Sequence, residues 1–187
     1  MRSAFVQTAS GRYLDVQDPQ PDDIDIADIA HHLAHLCRFG GACRQYYSEA
    51  EHAVRMAEIL PPRLKLAGLL YGAAKAYAGE AVRPGGRPVR AATQADGGGG
   101  GALRPAPVGR RQGRAGDGRR RLLATERRDL MPPDNIEWPI LTGVQPLAER
   151  IWPMTIAQAL ASFCAVYEQC RAWSSSAQIR LRQPSVR

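Results

Sequence analysis

The sequence predicts an all-α domain. Three kinds of local signal do so: apolar residues recur at three-and-four spacing in successive segments, capping boxes open two of those segments, and proline or glycine closes them. The chain's 187 residues, 44% of them apolar and 23% charged, suffice for one core and are too few to expect two.

In the first segment, DIADIAHHLAHLC, Ile26, Ile29, Leu33 and Leu36 make one stripe, and Asp22, Asp23 and Asp25 gather at the N-terminal end, where the helix dipole favours acids. His31 and His35 could imitate an H-x-x-x-H metal pair. They fall about 200° to 240° around the wheel from Ile29, so a solvated face is the expectation. Ser48-x-x-Glu51 is a capping box for a second helix, stopped by Pro61 and Pro62, which puts His52 in a first turn. A third helix is expected from Arg63 to Ala78, with Leu66, Leu69, Leu70, Ala73, Ala74 and Tyr77 on its apolar side and Gly79 as its stop. RRLLATERRDLM reads as a fourth, ended by Pro132 and Pro133. Thr155-x-x-Gln158 caps a last one through Ala161, Phe163, Val166, Tyr167 and Cys170.

Residues 81–118 interrupt this pattern. The window holds seven Arg against two Asp, +5 of the formal +7, together with 11 of the 18 glycines and no aromatic residue, so it cannot supply a core. Ala, Arg, Gly and Pro, all encoded by GC-rich codons, make up 29 of its 38 residues. The first expectation is therefore a disordered or frameshifted segment, a GC-rich gene read out of frame and then restored. A solvated linker is the second reading. The third is an Arg/Gly tract that binds RNA or single-stranded DNA through phosphate charge, without the aromatics that base stacking would use.

No apolar run approaches the roughly 18 residues of a membrane span, and MRSAFVQTASGRYLD lacks the apolar core of a secretion signal. A cytoplasmic protein with no membrane contact is expected. Cys37, Cys43, Cys164 and Cys170 are spaced six apart in each pair, unlike a C-x-x-C zinc site or a dense disulfide framework, and read as buried free thiols.

Four stretches together, TASGRYLDVQDPQPDDIDIADIAHHLAHLCRFGG, YSEAEHAVRMA, LLYGAAKAYAGE and RLLATERRDLMPP, resemble the HD-domain phosphohydrolases, in their short nucleotide-acting phage and bacterial branch. The resemblance covers residues 8 to 80 and 120 to 133. It implies one HD-like helical domain over 1–187, interrupted by 81–118, that hydrolyses nucleoside mono- or triphosphates. It also implies a divalent ion (Mn, Co, Zn or Mg) held by an early His, a His-Asp pair on the next helix and a later Asp. Imidazole and carboxylate suit such ions, and the bound ion lowers a water's pKa and screens the phosphate.

By this resemblance His52 is the early metal ligand, and Arg38, Phe39 and Gly40 belong to the substrate-facing loop, with Arg38 on the phosphate. The other ligand positions carry Tyr71, Gly72 and Arg119; Lys75 stands where an acid should orient water, Glu80 keeps a later acid, and Ala42 replaces a loop His. A cation at Arg119 would repel a divalent metal by about 8 kcal/mol at about 4 Å and an effective dielectric of about 20. Gly72 inside a helix would cost about 1 kcal/mol relative to Ala. The scaffold is thus expected to be a phosphohydrolase by descent, inactive as written and without its metal. The alternative is a non-catalytic nucleotide or nucleic-acid binder.

Overall fold

The computed structural model describes residues 5–79 and 114–182, and these are mostly helical. The all-α expectation needs one correction. An antiparallel ribbon, β1 (Phe5–Gln7) and β2 (Tyr13–Asp15), precedes the helices, with Val6 opposite Leu14. Three-residue strands are too short to show alternation in sequence, but Leu14 is buried against the helices and docks the ribbon on them.

Helix α1 (Ile26–His35) begins where Asp25 accepts a hydrogen bond from the Ala27 N–H at 2.8 Å, and its Ile29 and Leu33 are buried. His31 and His35 lie on the exposed side, as the wheel predicts, with ring centroids 4.2 Å apart. Helix α2 (Glu49–Glu58) follows Ser48, whose Oγ accepts from the Glu51 N–H at 3.0 Å. Only half of the expected capping box forms, because the buried Glu51 carboxylate instead accepts from Arg55 and from the Met154 N–H.

The single third helix expected over 63–78 is two pieces, α3 (Pro62–Leu69) and α4 (Lys75–Ala78), joined by a turn that contains Tyr71 and Gly72. The break includes Gly72, whereas the stretch's other glycine, Gly68, stays inside α3. Gly72 does not pay a helix-interior penalty, since it is not in a helix. Its φ lies outside the left-handed region and an added Cβ would meet nothing closer than 4.0 Å. Gly72→Ala should therefore stabilise the fold by about 0.4–1 kcal/mol by restricting the unfolded chain, read as a higher urea midpoint at unchanged slope.

Helix α5 (Arg114–Leu130) starts inside the window expected to lack structure, which is a correction for 114–118. Gly116 and Gly118, weak helix formers, are part of it. A Cβ at Gly118 would sit 3.4 Å from Ile59 Cδ1 just past the end of α2, an ordinary packing contact. Residues 81–113 and Glu80, and with them the frameshift, linker and Arg/Gly-tract readings, lie outside the described residues.

Helix α6 (Ile156–Arg182) carries the full Thr155/Gln158 box and continues past Cys170. It packs across α1, α2 and α3, and the main core forms around Ile29, Leu33, Val54, Leu69 and Phe163. Each such side chain contributes about 1.5–3 kcal/mol on burial. A second cluster, Tyr47, Leu60, Leu122, Leu130 and Ile151, ties α5 to α2. The four cysteines form no disulfide, as expected, but Cys170 alone is buried and Cys164 is exposed. Among the described residues no helix is long and apolar enough to cross a membrane.

Candidate functional site

A buried carboxylate organises the region where α2, α5 and the loop after α1 meet. Glu126 sits on the buried side of α5, four residues after Leu122 and four before Leu130, and is fully buried. An acid in an apolar stripe must be paired, because water no longer solvates it. Its Oε1 accepts from Arg38 Nε at 3.0 Å, from the Tyr47 hydroxyl at 3.0 Å and from His52 Nδ1 at 2.6 Å, and its Oε2 accepts from Arg38 Nη2 at 3.0 Å. Burial alone would raise its pKa. The charge and hydrogen bond of His52, then those of Arg38, outweigh it and hold the carboxyl down at about 2. Burial, and next the Glu126 charge, push the Tyr47 phenol well above its ordinary value, so it stays a neutral donor.

Arg38 is brought to this carboxylate by the loop Arg38–Gly41, anchored where Arg38 N–H donates to the Tyr47 carbonyl at 2.8 Å. Its Nη1 also reaches Glu49 at 3.3 Å, and Lys75 Nζ donates to the same Glu49 oxygen at 2.8 Å. The Arg38 guanidinium, expected on the phosphate, here answers two acids, and its side chain is only 13% exposed. Phe39 holds φ 55° and ψ 30°, and Gly40 φ 59°, so the loop turns through left-handed backbone. Arg38 lies over the Phe39 ring at 4.7 Å.

His52 has its Nδ1–H donated to Glu126, and its Nε2 makes no hydrogen bond among the described residues. A carboxylate behind the imidazole is how metal-binding histidines are oriented. The remaining positions do not complete a metal site. Tyr71 is exposed and accepts a hydrogen bond from Arg119 Nη1 at 3.2 Å, with the guanidinium 5.1 Å from the ring centroid. Gly72 offers no donor atom, and its nearest neighbours are Glu49 Oε2 and the Lys75 stem. Asp117, two residues before Arg119, pairs with Arg120 at 2.5 Å in the exposed first turns of α5. Among the described residues no three His, Cys, Asp or Glu side chains are placed to hold one ion. One imidazole nitrogen beside two cations and a neutral phenol does not fit a divalent metal.

The structure thus gathers His52, Arg38, Gly72 and Lys75 around Glu49 and Glu126, and joins Tyr71 to Arg119. Arg119 and Glu126 are seven residues apart on α5, which places them on one face about 10 Å along the axis. Sequence reasoning missed Glu126 and Glu49 as site residues. The signal for Glu126 was its place in the α5 stripe.

No protein-family model matches the chain. It is 32% identical to the uncharacterized protein YfdR of Escherichia coli over 149 residues, 75% of this chain and 80% of that protein. It is also 38% identical to the uncharacterized protein RCAP_rcc00048 of Rhodobacter capsulatus over 93 residues, 45% of this chain and 47% of that protein. The first match covers three quarters of this chain and four fifths of that protein, and on it the chain belongs to the YfdR family.

Proposed function

We propose that this chain is a diverged HD-domain nucleotide phosphohydrolase that binds a nucleotide phosphate and does not hydrolyse it. The observation that carries the proposal is the exchange of ligand for cation at positions that still meet. Tyr71 and Arg119, both at expected ligand positions, touch each other, and His52 keeps its carboxylate support from Glu126. Arg119 is exposed and has no acidic partner among the described residues. A guanidinium on that face attracts the same phosphate a metal would have screened, by direct ionic contact. Among the described residues the positions expected to complete the metal set hold Tyr71, Gly72 and Arg119, which supports binding of the phosphate without its hydrolysis.

The test is a nucleotide panel of mono- and triphosphates in thermal unfolding, with and without EDTA. A nucleotide at one hundred times its Kd should stabilise the protein by about 2.7 kcal/mol, equally in both conditions, with no phosphate released. A stoichiometric metal that disappears in His52→Ala, accompanied by phosphate release in the parent chain, would restore the enzyme reading. No shift with any nucleotide would end the binding reading.

A further inference from the structure

The ring of His32 uses both of its nitrogens, on two different elements. Its Nε2 accepts a hydrogen bond from the Ala9 N–H at 3.0 Å, in the turn that closes the β1–β2 ribbon, and its Nδ1 donates to the Ala76 carbonyl on α4 at 2.7 Å. A backbone N–H can only donate and a carbonyl can only accept. The partners therefore force the neutral tautomer that carries its proton on Nδ1.

A second proton, on Nε2, would set one N–H against another. The bond to Ala9 must then break, whereas the bond to Ala76 survives because Nδ1 keeps its proton. Ala9 is exposed, so water can take over its N–H. The next residue, Ser10, is held separately: its N–H and hydroxyl donate to the buried Asp28 at 2.7 Å and 2.8 Å. Those two bonds keep the ribbon on α1 while the Ala9 side lets go. Beside the ring lies a cavity of about 420 Å³, with Gln7, Thr8 and Ala9 on the ribbon side and His31, His32 and His35 on the helix side.

Asp28, His31 and His35 face the ring from its own helix, and Lys75 and Tyr77 from α4, while the turn brings only the uncharged Thr8, Ala9 and Ser10. Two nearby cations are engaged elsewhere, Lys75 Nζ on Glu49 at 2.8 Å and Arg12, just past the turn, on Asp25 at 2.7 Å. Burial, and next the neighbouring His35 and His32, lower the pKa of His31. Among the described residues neither His31 nor His35 bonds the turn, so only His32 ties a proton to its release.

We propose that His32 is an acid-released latch, whose protonation frees the turn at Ala9 and opens the cavity between the ribbon and α1.

The experiment follows the Ala9 amide exchange rate and the His32 ring-nitrogen chemical shifts of the full chain by NMR, from about pH 7.5 to about pH 5, where imidazoles ordinarily titrate. Exchange rates are corrected for their intrinsic pH dependence. As Nε2 gains its proton, Ala9 exchange should speed up about five-fold, the scale of one hydrogen bond, while Ser10 stays within about two-fold. His32→Gln offers one acceptor and one donor at every pH and should abolish the rise, whereas His31→Gln should leave it as in the parent. A His32 protonated on both nitrogens with Ala9 still protected overturns the latch, as does a ring that stays neutral throughout. A rise that persists in His32→Gln overturns it as well, and the parent chain alone decides the first two outcomes if that variant folds poorly.

Discussion

Glu126→Ala should destabilise the fold by about 3–5 kcal/mol, the largest effect expected of any single substitution in this chain. The carboxylate is fully buried, and its loss strands Arg38, Tyr47 and His52 at once. Chemical denaturation of parent and variant measures it, and a loss below about 1 kcal/mol would mean that water replaces the carboxylate. Arg38→Met should cost less, since Glu49 retains Lys75 as a partner. Combining Arg38→Met with Glu126→Leu should cost less than the two single changes together, because neither charge is then left buried alone.

The same group sets a pH dependence. Its folded pKa of about 2 lies below the unfolded value near 4.5, so its contribution is present above about pH 4.5 and is lost as pH falls toward 2. The gap corresponds to about 3 kcal/mol. Glu51 acts in the opposite sense. Burial raises its pKa, against the hydrogen bond from Met154 and the pairing with Arg55, so protonation on acidification relieves a cost there. The difference between parent and Glu126→Gln across this range isolates the first effect, and a constant difference from pH 7 to pH 3 would contradict it.

Much of the scaffold was legible in the sequence because helix signals are local. The Asp25 cap, the Ser48 cap, the Thr155/Gln158 box and the stripe of α1 all depend on residues within a turn or two of one another. What was hidden depends on distance. The ribbon exists because Leu14 finds a helical surface to cover it, and the split of the third helix leaves Leu70 and Ala73, both in the turn, in the main core. Gly116 and Gly118 argue locally against a helix, yet α5 runs through them, with Gly118 close against Ile59. At the site, His52 and Arg38 were readable as positions, but not that both would be claimed by one carboxylate 74 and 88 residues away.

Tyr71→His, Gly72→Asp and Arg119→Asp made together should create a divalent metal site where the described residues hold none. The physical case rests on where the three positions stand. Tyr71 and Arg119 meet through their side-chain tips, so shorter donors on the same backbones leave a gap between them that an ion can fill. His52 Nε2 is already oriented by Glu126 behind the ring. Removing the Arg119 charge abolishes a repulsion of about 8 kcal/mol at about 4 Å and an effective dielectric of about 20. The new carboxylate at position 72 would lie beside Glu49 and Lys75, and the ammonium offsets the like charge of its neighbour. Elemental analysis after dialysis against manganese or zinc should read about one ion per folded chain in the triple variant, and His52→Ala added to it should remove the ion. A folded triple variant that takes up no metal would show that these positions never formed one site, and descent from a metal-dependent hydrolase would fall with it.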